Sequence, residues 1–188
     1  MAVTTLCGQD TSFKKNAIFL TYEEFKNNTP SIDTLKLHLA YLRNYKSKVQ
    51  YETGDGKLVD YKHRIWGFSD TTDLYVWHRD RFNQVVAAGR YYVFSYIKIV
   101  HNSEPDRDVV GYHTPRERFN GGVRGDARVL CVMDYNTGRI EDLNEKKIRE
   151  ILGQDQKLLD EYQEDTEQDD LIVEYIRRFN ERHPLKNN

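Results

Sequence analysis

Apolar and polar positions alternate through the middle of the chain, most clearly from Gly89 to Val100. An extended conformation would place five side chains on one face and four on the other: Tyr91, Val93, Ser95, Ile97 and Ile99 against Tyr92, Phe94, Tyr96 and Lys98. Aromatic and β-branched side chains suit a pleated strand because they pack against cross-strand neighbours. The pattern therefore predicts a long strand around which a sheet is organised.

Two pairs of strand-like segments precede it, and each pair is joined by a turn signal. In one pair, a turn with two glycines joins Lys48–Glu52 to Lys57–Tyr61. In the other, a polar segment joins Ile65–Phe68 to Leu74–Trp77. Glycine accepts the positive φ that tight turns need, so both pairs are typical of β-hairpins. We expect four or five antiparallel strands in a meander before Val100.

The region before these hairpins contains a helix signal and an alternating segment. Thr21, followed three residues later by Glu24, matches a capping box and predicts a short helix through Phe25. Residues from Leu35 to Tyr41 alternate between apolar and polar, which predicts a strand with one solvated face. A helix continuing through Leu42 is the alternative for this segment.

The period changes near the C-terminal end. Arg128–Asp134 predicts a buried strand and Arg139–Leu143 a returning strand, after which helices follow. Asn144, Asp155 and Thr166 stand at N-cap positions of three short helical patterns. An apolar stripe at helical spacing marks the last helix: Leu171, Ile172, Tyr175, Ile176 and Phe179. The order predicts an α+β fold, an antiparallel sheet built as a meander of hairpins and followed by two or three C-terminal helices on one face or end.

The segment 101–126 interrupts this regularity. It contains Pro105, Pro115 and a glycine-rich tract, and it predicts a long irregular loop. We therefore expect residues 1–12 to be disordered or a leader remnant, and residues 13–188 to form one α+β domain that carries this loop.

Composition supports a folded domain with no strong overall charge. Leu, Ile, Val and Phe make up 47 of the 188 residues, above the level of about 20% that marks highly charged disordered chains. Net charge is −2, although residues 1–100 carry 14 basic and 10 acidic side chains and residues 144–188 carry 8 and 12. Without a basic stripe, nucleic acid is not an expected partner.

Membrane and redox signals are weak. No apolar run approaches the ~18 residues of a membrane helix, so no transmembrane segment is expected. The two cysteines, Cys7 and Cys131, lack the spacing of a zinc site. They are either two free thiols or, in an oxidising compartment, a disulfide that joins the N-terminal segment to the sheet.

Two motif-like stretches lack the partners their chemistry needs. His78-Arg79-Asp80 spells the HRD of a kinase catalytic loop, but Val85 stands where a kinase has its metal-binding asparagine. We interpret these residues as solvated charges at a strand end. Gly121–Gly125 lacks the lysine and hydroxyl of a P-loop, and we interpret it as a loop tip.

Histidines and carboxylates occur together in the 101–126 segment. His101 and His113, with Asp106, Asp108 and Glu117, have the residue types of a metal or acid–base site. Their spacing matches no ligand motif, and neither cysteine has an adjacent base to activate it. We therefore predict no metal, no cofactor and no catalytic residue.

Five stretches, taken together, resemble an uncharacterised family of Bacteroidetes proteins. They are IFLTYEEFKNNTPSI, IWGFSDTTDLYV, GRYYVFSYI, VMDYNTGRIEDLNEKKIREIL and YIRRFNERHP, and they extend from Ile18 to Pro184. The resemblance implies an exported, periplasmic or secreted protein, with Met1–Asp10 as the remnant of a leader. It implies no known activity, cofactor or catalytic residue.

These observations predict a non-enzymatic binding or structural module of the cell envelope, with an unidentified protein or small ligand as partner. Function concentrates on loops held by rigid scaffolds, so the 101–126 loop and an exposed aromatic edge of the sheet form the predicted contact surface. Aromatic and arginine side chains are the expected anchors: Tyr112, Arg116, Arg118, Phe119 and Arg124. The alternative is a hydrolase or transferase whose polar groups converge at the same loop.

Overall fold

The computed structural model describes residues 13–33, 36–41, 47–101, 124–165 and 168–185. These residues form ten strands and four helices. In chain order they are β1 (Ala17–Phe19), α1 (Tyr22–Lys26), β2 (Leu37–Tyr41), β3 (Ser47–Glu52), β4 (Leu58–Asp60), β5 (Gly67–Ser69), β6 (Leu74–His78), β7 (Arg81–Ala87), β8 (Tyr91–His101), β9 (Arg124–Asp134), β10 (Ile140–Asp142), α2 (Glu145–Leu152), α3 (Gln156–Glu164) and α4 (Gln168–Arg182).

The strands form two antiparallel sheets. The larger has the order β1-β5-β6-β7-β8-β9-β10, and the smaller has the order β2-β3-β4. The predicted α+β class is therefore confirmed. The meander of hairpins is divided between two sheets, because β2–β4 leave the first sheet and bury their one apolar face against it through Leu37, Val49 and the following Ile65.

The first four residues of the long strand β8, Tyr91–Phe94, are buried on both faces. Tyr91 and Val93 pack with Val132 of β9 under the three C-terminal helices. Tyr92 and Phe94 face a second cluster, which is closed by the short helix α1. A third cluster fills the space between the two sheets.

The helix predictions are confirmed at their N-caps. Thr21 Oγ1 accepts a hydrogen bond from the Glu24 amide at 3.2 Å, and Asn144 Oδ1 accepts one from the Lys147 amide at 2.9 Å. Asp155 caps α3 in the same way, through its Oδ1. Thr166, the predicted cap of α4, lies outside the described residues.

One strand prediction is confirmed, and one strand was missed. The segment ending at Tyr41 is β2, so the helix alternative is wrong. Strand β7 was not predicted because its alternation is broken by the buried Asn83 and by a register shift between Val85 and Ala87. Asn83 is satisfied where it lies, since its amide donates to the carbonyl oxygen of His78 at 3.0 Å.

The boundaries of the predicted 101–126 loop also need correction. His101 ends β8 and pairs with Arg124, and the ladder continues through Gly125 and Asp126. Backbone hydrogen bonds hold a strand pair whatever its side chains, so polar residues at the end of this hairpin do not show the apolar pattern of a strand. Residues 102–123 lie outside the described residues.

The last helix is fixed to the sheet by a buried side chain as well as by its apolar stripe. Asn180 is 3% exposed, accepts a hydrogen bond from the Tyr91 amide at 2.9 Å and donates to the Tyr91 carbonyl at 2.7 Å. The space it fills is the one that a side chain at Gly89 would need, since a Cβ there would lie 2.6 Å from Asn180. Helix α4 therefore docks in one register.

Ion pairs join α3 to α4 at the surface. Glu161 accepts hydrogen bonds from Arg178 and Arg182, and Asp155 lies 3.2 Å from both Arg182 and His183. The hydrogen bond from Arg178 is the main reason that the pKa of Glu161 lies below its usual range. Burial raises the pKa of Asp155, but its hydrogen bonds from Leu158, Arg182 and His183 outweigh that effect and lower it.

Replacing Ile176 with alanine should lower the free energy of unfolding by about 2–5 kcal/mol, because the side chain is fully buried and leaves a cavity. Urea denaturation measures the change. Glu181→Ala, on the exposed side of the same helix, should change stability by less than about 0.5 kcal/mol. Equal stability of wild type and Ile176→Ala would contradict the docking of α4.

Acid should weaken the junction between α3 and α4. A carboxyl group whose pKa is lowered by folding stabilises the protein above its unfolded pKa of about 4.3, and this contribution is lost as the pH falls through the folded pKa. Glu161→Gln should therefore be less stable than wild type near neutral pH, and the two should converge as the solution becomes more acidic. Melting temperatures across the pH range test this, with the exposed Glu164→Gln as control. A gap that persists at low pH would contradict the assignment.

Candidate functional site

Four of the five contact residues predicted from sequence lie outside the described residues. They are Tyr112, Arg116, Arg118 and Phe119. Arg124 is the first residue of β9, opposite His101, so it belongs to a strand and not to the loop. The contact surface at this segment remains a prediction.

A different part of the fold forms a cleft of about 560 Å³. It opens where the smaller sheet meets the β6–β7 hairpin, and this volume is typical of small-molecule sites. Three segments line it: Ser47–Val49 of β3, Tyr61–Ile65 after β4, and Trp77, Asp80 and Phe82 of the hairpin.

The floor of the cleft is held by buried contacts. The Phe82 amide donates a hydrogen bond of 2.7 Å to Ser47 Oγ, which ties the hairpin to β3. The rings of Trp77 and Phe82 meet edge to face at 4.8 Å, and Val49 and Ile65 pack in the cluster between the sheets. The apolar surface of the cleft is therefore preformed.

Cations dominate the walls. Lys48 Nζ is paired with Asp60 at 2.6 Å, and this hydrogen bond is the main reason that the pKa of Asp60 lies below its usual range. Lys62 and Arg64 are exposed, and neither makes an ion pair with any carboxylate that the structure describes. His63 packs edge to face on Tyr61, with ring centroids 5.5 Å apart. The walls thus present two cations available to an anion.

The β6–β7 turn adds one carboxylate. Arg79 and Asp80 both have left-handed φ, of 53° and 62°. Two-residue hairpins need this geometry and usually meet it with Asn-Gly, whereas a residue such as arginine costs roughly 1–2 kcal/mol there. The Arg79 guanidinium lies 5.7 Å from the centre of the Tyr96 ring. Asp80 lines the cleft on the other side.

His78 therefore ends β6, and Arg79 and Asp80 form the turn that follows. The sequence interpretation missed that Asp80 lines a cleft. Lys62-His63-Arg64 was the other available signal, a basic triplet directly before a buried isoleucine. Such triplets are common on solvated surfaces. The Lys62-His63-Arg64 triplet lines a cleft only because the smaller sheet packs close to the β6–β7 hairpin.

A second polar cluster lies on the opposite face of the larger sheet. The His78 ring is 5.7 Å from the Phe94 and Tyr96 rings, and Cys131 Sγ is 3.6 Å from Asp142 Oδ1. Burial, and then the charge of Arg79, lower the pKa of His78, so its imidazole is neutral at pH 7. Burial, and then the charge of Asp142, raise the pKa of the free Cys131 thiol to about 12. A thiol in that state is not a nucleophile.

The described part of the chain contains neither a metal-binding cluster nor a membrane-spanning helix. Its side chains include no group of three His, Cys, Asp or Glu residues placed to hold a metal. Its helices include none with the length and apolar character needed to cross a bilayer.

Cys131 should react very slowly with iodoacetamide in the folded protein. The rise of its pKa from 9.0 to about 12 lowers the thiolate fraction at pH 8 by about a thousandfold, because each pKa unit is a factor of ten. Mass spectrometry of the Cys7→Ser variant, which retains only this thiol, follows the reaction. The same variant in urea provides the control, and similar rates in both states would show that the thiol is accessible and that folding does not raise its pKa.

Comparison with known sequences identifies the family of the chain. It belongs to the family of unknown function DUF6563, whose sequence model matches residues 17–183. This confirms the predicted membership of an uncharacterised family. No curated protein and no solved structure matches the chain.

Proposed function

We propose that this member of the family is a non-enzymatic binding domain of the cell envelope that holds an anionic ligand in the cleft between the smaller sheet and the β6–β7 hairpin. The observation that carries the proposal is the placement of Lys62 and Arg64, without ion-pair partners among the described residues, beside a preformed aromatic floor.

The charges supply orientation and part of the affinity. A guanidinium group binds a carboxylate or phosphate through two parallel hydrogen bonds, and an ammonium group acts as a point charge beside it. Exposed ion pairs contribute about 0–1 kcal/mol each after solvent screening. Two such contacts favour anions over neutral molecules.

The aromatic floor of the cleft supplies the rest of the binding affinity. Trp77 is half-buried, and its ring is fixed by Phe82 below it. Burial of apolar surface contributes about 25 cal/mol per Å², and a rigid ring loses little entropy when a ligand packs on it. The cleft therefore suits an anion that also carries an apolar or planar body.

A binding role rather than a catalytic one is supported by the state of the titratable groups. The thiol of Cys131 is buried and protonated, and it lies on the other face of the sheet from the cleft. The cell-envelope location rests on the resemblance of the five sequence stretches, and fractionation of the native cells with an antibody to the chain tests it.

Benzoate and phenyl phosphate are suitable probes, because each joins an anion to an aromatic ring. Isothermal titration calorimetry should show binding that weakens as salt is raised, since exposed charges are screened. Lys62→Gln combined with Arg64→Gln should reduce affinity at least tenfold, as expected for the loss of hydrogen bonds to charged groups worth about 1.5–3 kcal/mol each.

Lys146→Gln is the matched control. Lys146 is exposed on α2, away from the cleft, so this variant should bind as the wild type does. Binding that is unchanged in the double variant, or no binding of either probe by the wild type, would show that the cleft is not an anion site.

A further inference from the structure

Asp80 places a negative charge in a cleft whose other charged lining residues are cationic. It is the one carboxylate among the described lining residues, and it makes no ion pair or hydrogen bond within the described part of the chain. A purely anionic ligand held by Lys62 and Arg64 would meet repulsion from it. The carboxylate therefore opposes the simplest ligand for this cleft.

The turn does not use the Asp80 side chain. Aspartate often occurs in turns because its carboxylate accepts hydrogen bonds from nearby backbone amides. Asp70 does this in the β5–β6 turn, where Oδ1 accepts from the amides of Thr72 and Asp73 at 2.8 and 2.7 Å. Asp80 forms no such bond. Aspartate tolerates the left-handed φ of this position, but its exposed carboxylate makes no hydrogen bond within the described residues.

The backbone nevertheless holds Asp80 in place at a cost. Both turn residues have left-handed φ, and the neighbouring Arg79 lies over Tyr96 on the opposite side of the sheet. Backbone strain of this kind persists where the surrounding structure enforces it, often at ligand sites. Here the strained turn directs one charged residue to each side of the hairpin.

We propose that the cleft binds a zwitterionic ligand, with its acidic group at Lys62 and Arg64, its ammonium group at Asp80 and its apolar body on Trp77. This inference rests on the proposed anion site and narrows its ligand class. The ammonium group removes the repulsion that a simple anion meets, and it gives Asp80 the partner that the described residues do not provide.

Two matched pairs of probes isolate the ammonium group. The first pair is 4-(aminomethyl)benzoate and 4-ethylbenzoate, which have the same shape because a methyl group replaces the ammonium group. The second pair is glycyl-phenylalanine and its N-acetyl derivative, which spans a longer distance of about 7 Å for two extended residues. Calorimetry of each pair reports the ratio of the two dissociation constants.

The wild type should bind the ammonium member of at least one pair tenfold or more tightly than the partner that lacks the ammonium group. Asp80→Asn should reduce that ratio to within twofold, and should improve binding of 4-ethylbenzoate because the repulsion is gone. Asparagine tolerates left-handed φ, so the turn is retained. An unchanged melting temperature confirms this. Asp55→Asn, at an exposed turn outside the cleft, should keep the wild-type ratio.

The outcomes separate the two proposals. Equal binding of both members in both pairs overturns the zwitterion and leaves the anion site standing. A preference that survives Asp80→Asn overturns the role of Asp80. Failure of the wild type to bind any carboxylate probe overturns both proposals together.

Discussion

The two-sided burial of the β8–β9 ribbon is the constraint on which the rest of the fold depends. The two strands pair over eleven positions, from Tyr91 opposite Asp134 to His101 opposite Arg124. Alternate side chains along them enter two different cores, one under the helices and one under α1. A slip of one residue would exchange both sets at once, so both cores fix the same register.

That register determines where the candidate cleft lies. Strand β7 takes its position from β8, and β6 takes its position from β7. The two-residue turn lies between β6 and β7. The smaller sheet then packs on the other face of these strands and is tied to β7 through Ser47. The cleft is the gap left where this packing ends, and its aromatic floor belongs to the core between the sheets.

Local signals in the sequence predicted local structure well. The caps at Asn144 and Asp155, the glycine turn before β4 and the alternation in β8 each depend on neighbouring residues, and the structure has them all. The second sheet and β7 were missed for a physical reason. Asn83 is a buried polar residue satisfied by backbone carbonyls, and no periodicity shows that satisfaction. The cleft was missed because it joins residues 47–49, 61–65 and 77–82, whose proximity is purely tertiary.

The two hydrogen bonds between the Asn180 side chain and the Tyr91 backbone form late in synthesis of the chain. The face of β8 and β9 that receives α4 is complete once Asp134 has been synthesised, yet Asn180 comes about 46 residues later. At 5–20 residues per second, a ribosome needs on the order of several seconds to make that segment. Throughout this interval Val93, Leu130 and Val132 lack the part of their cover that α4 supplies.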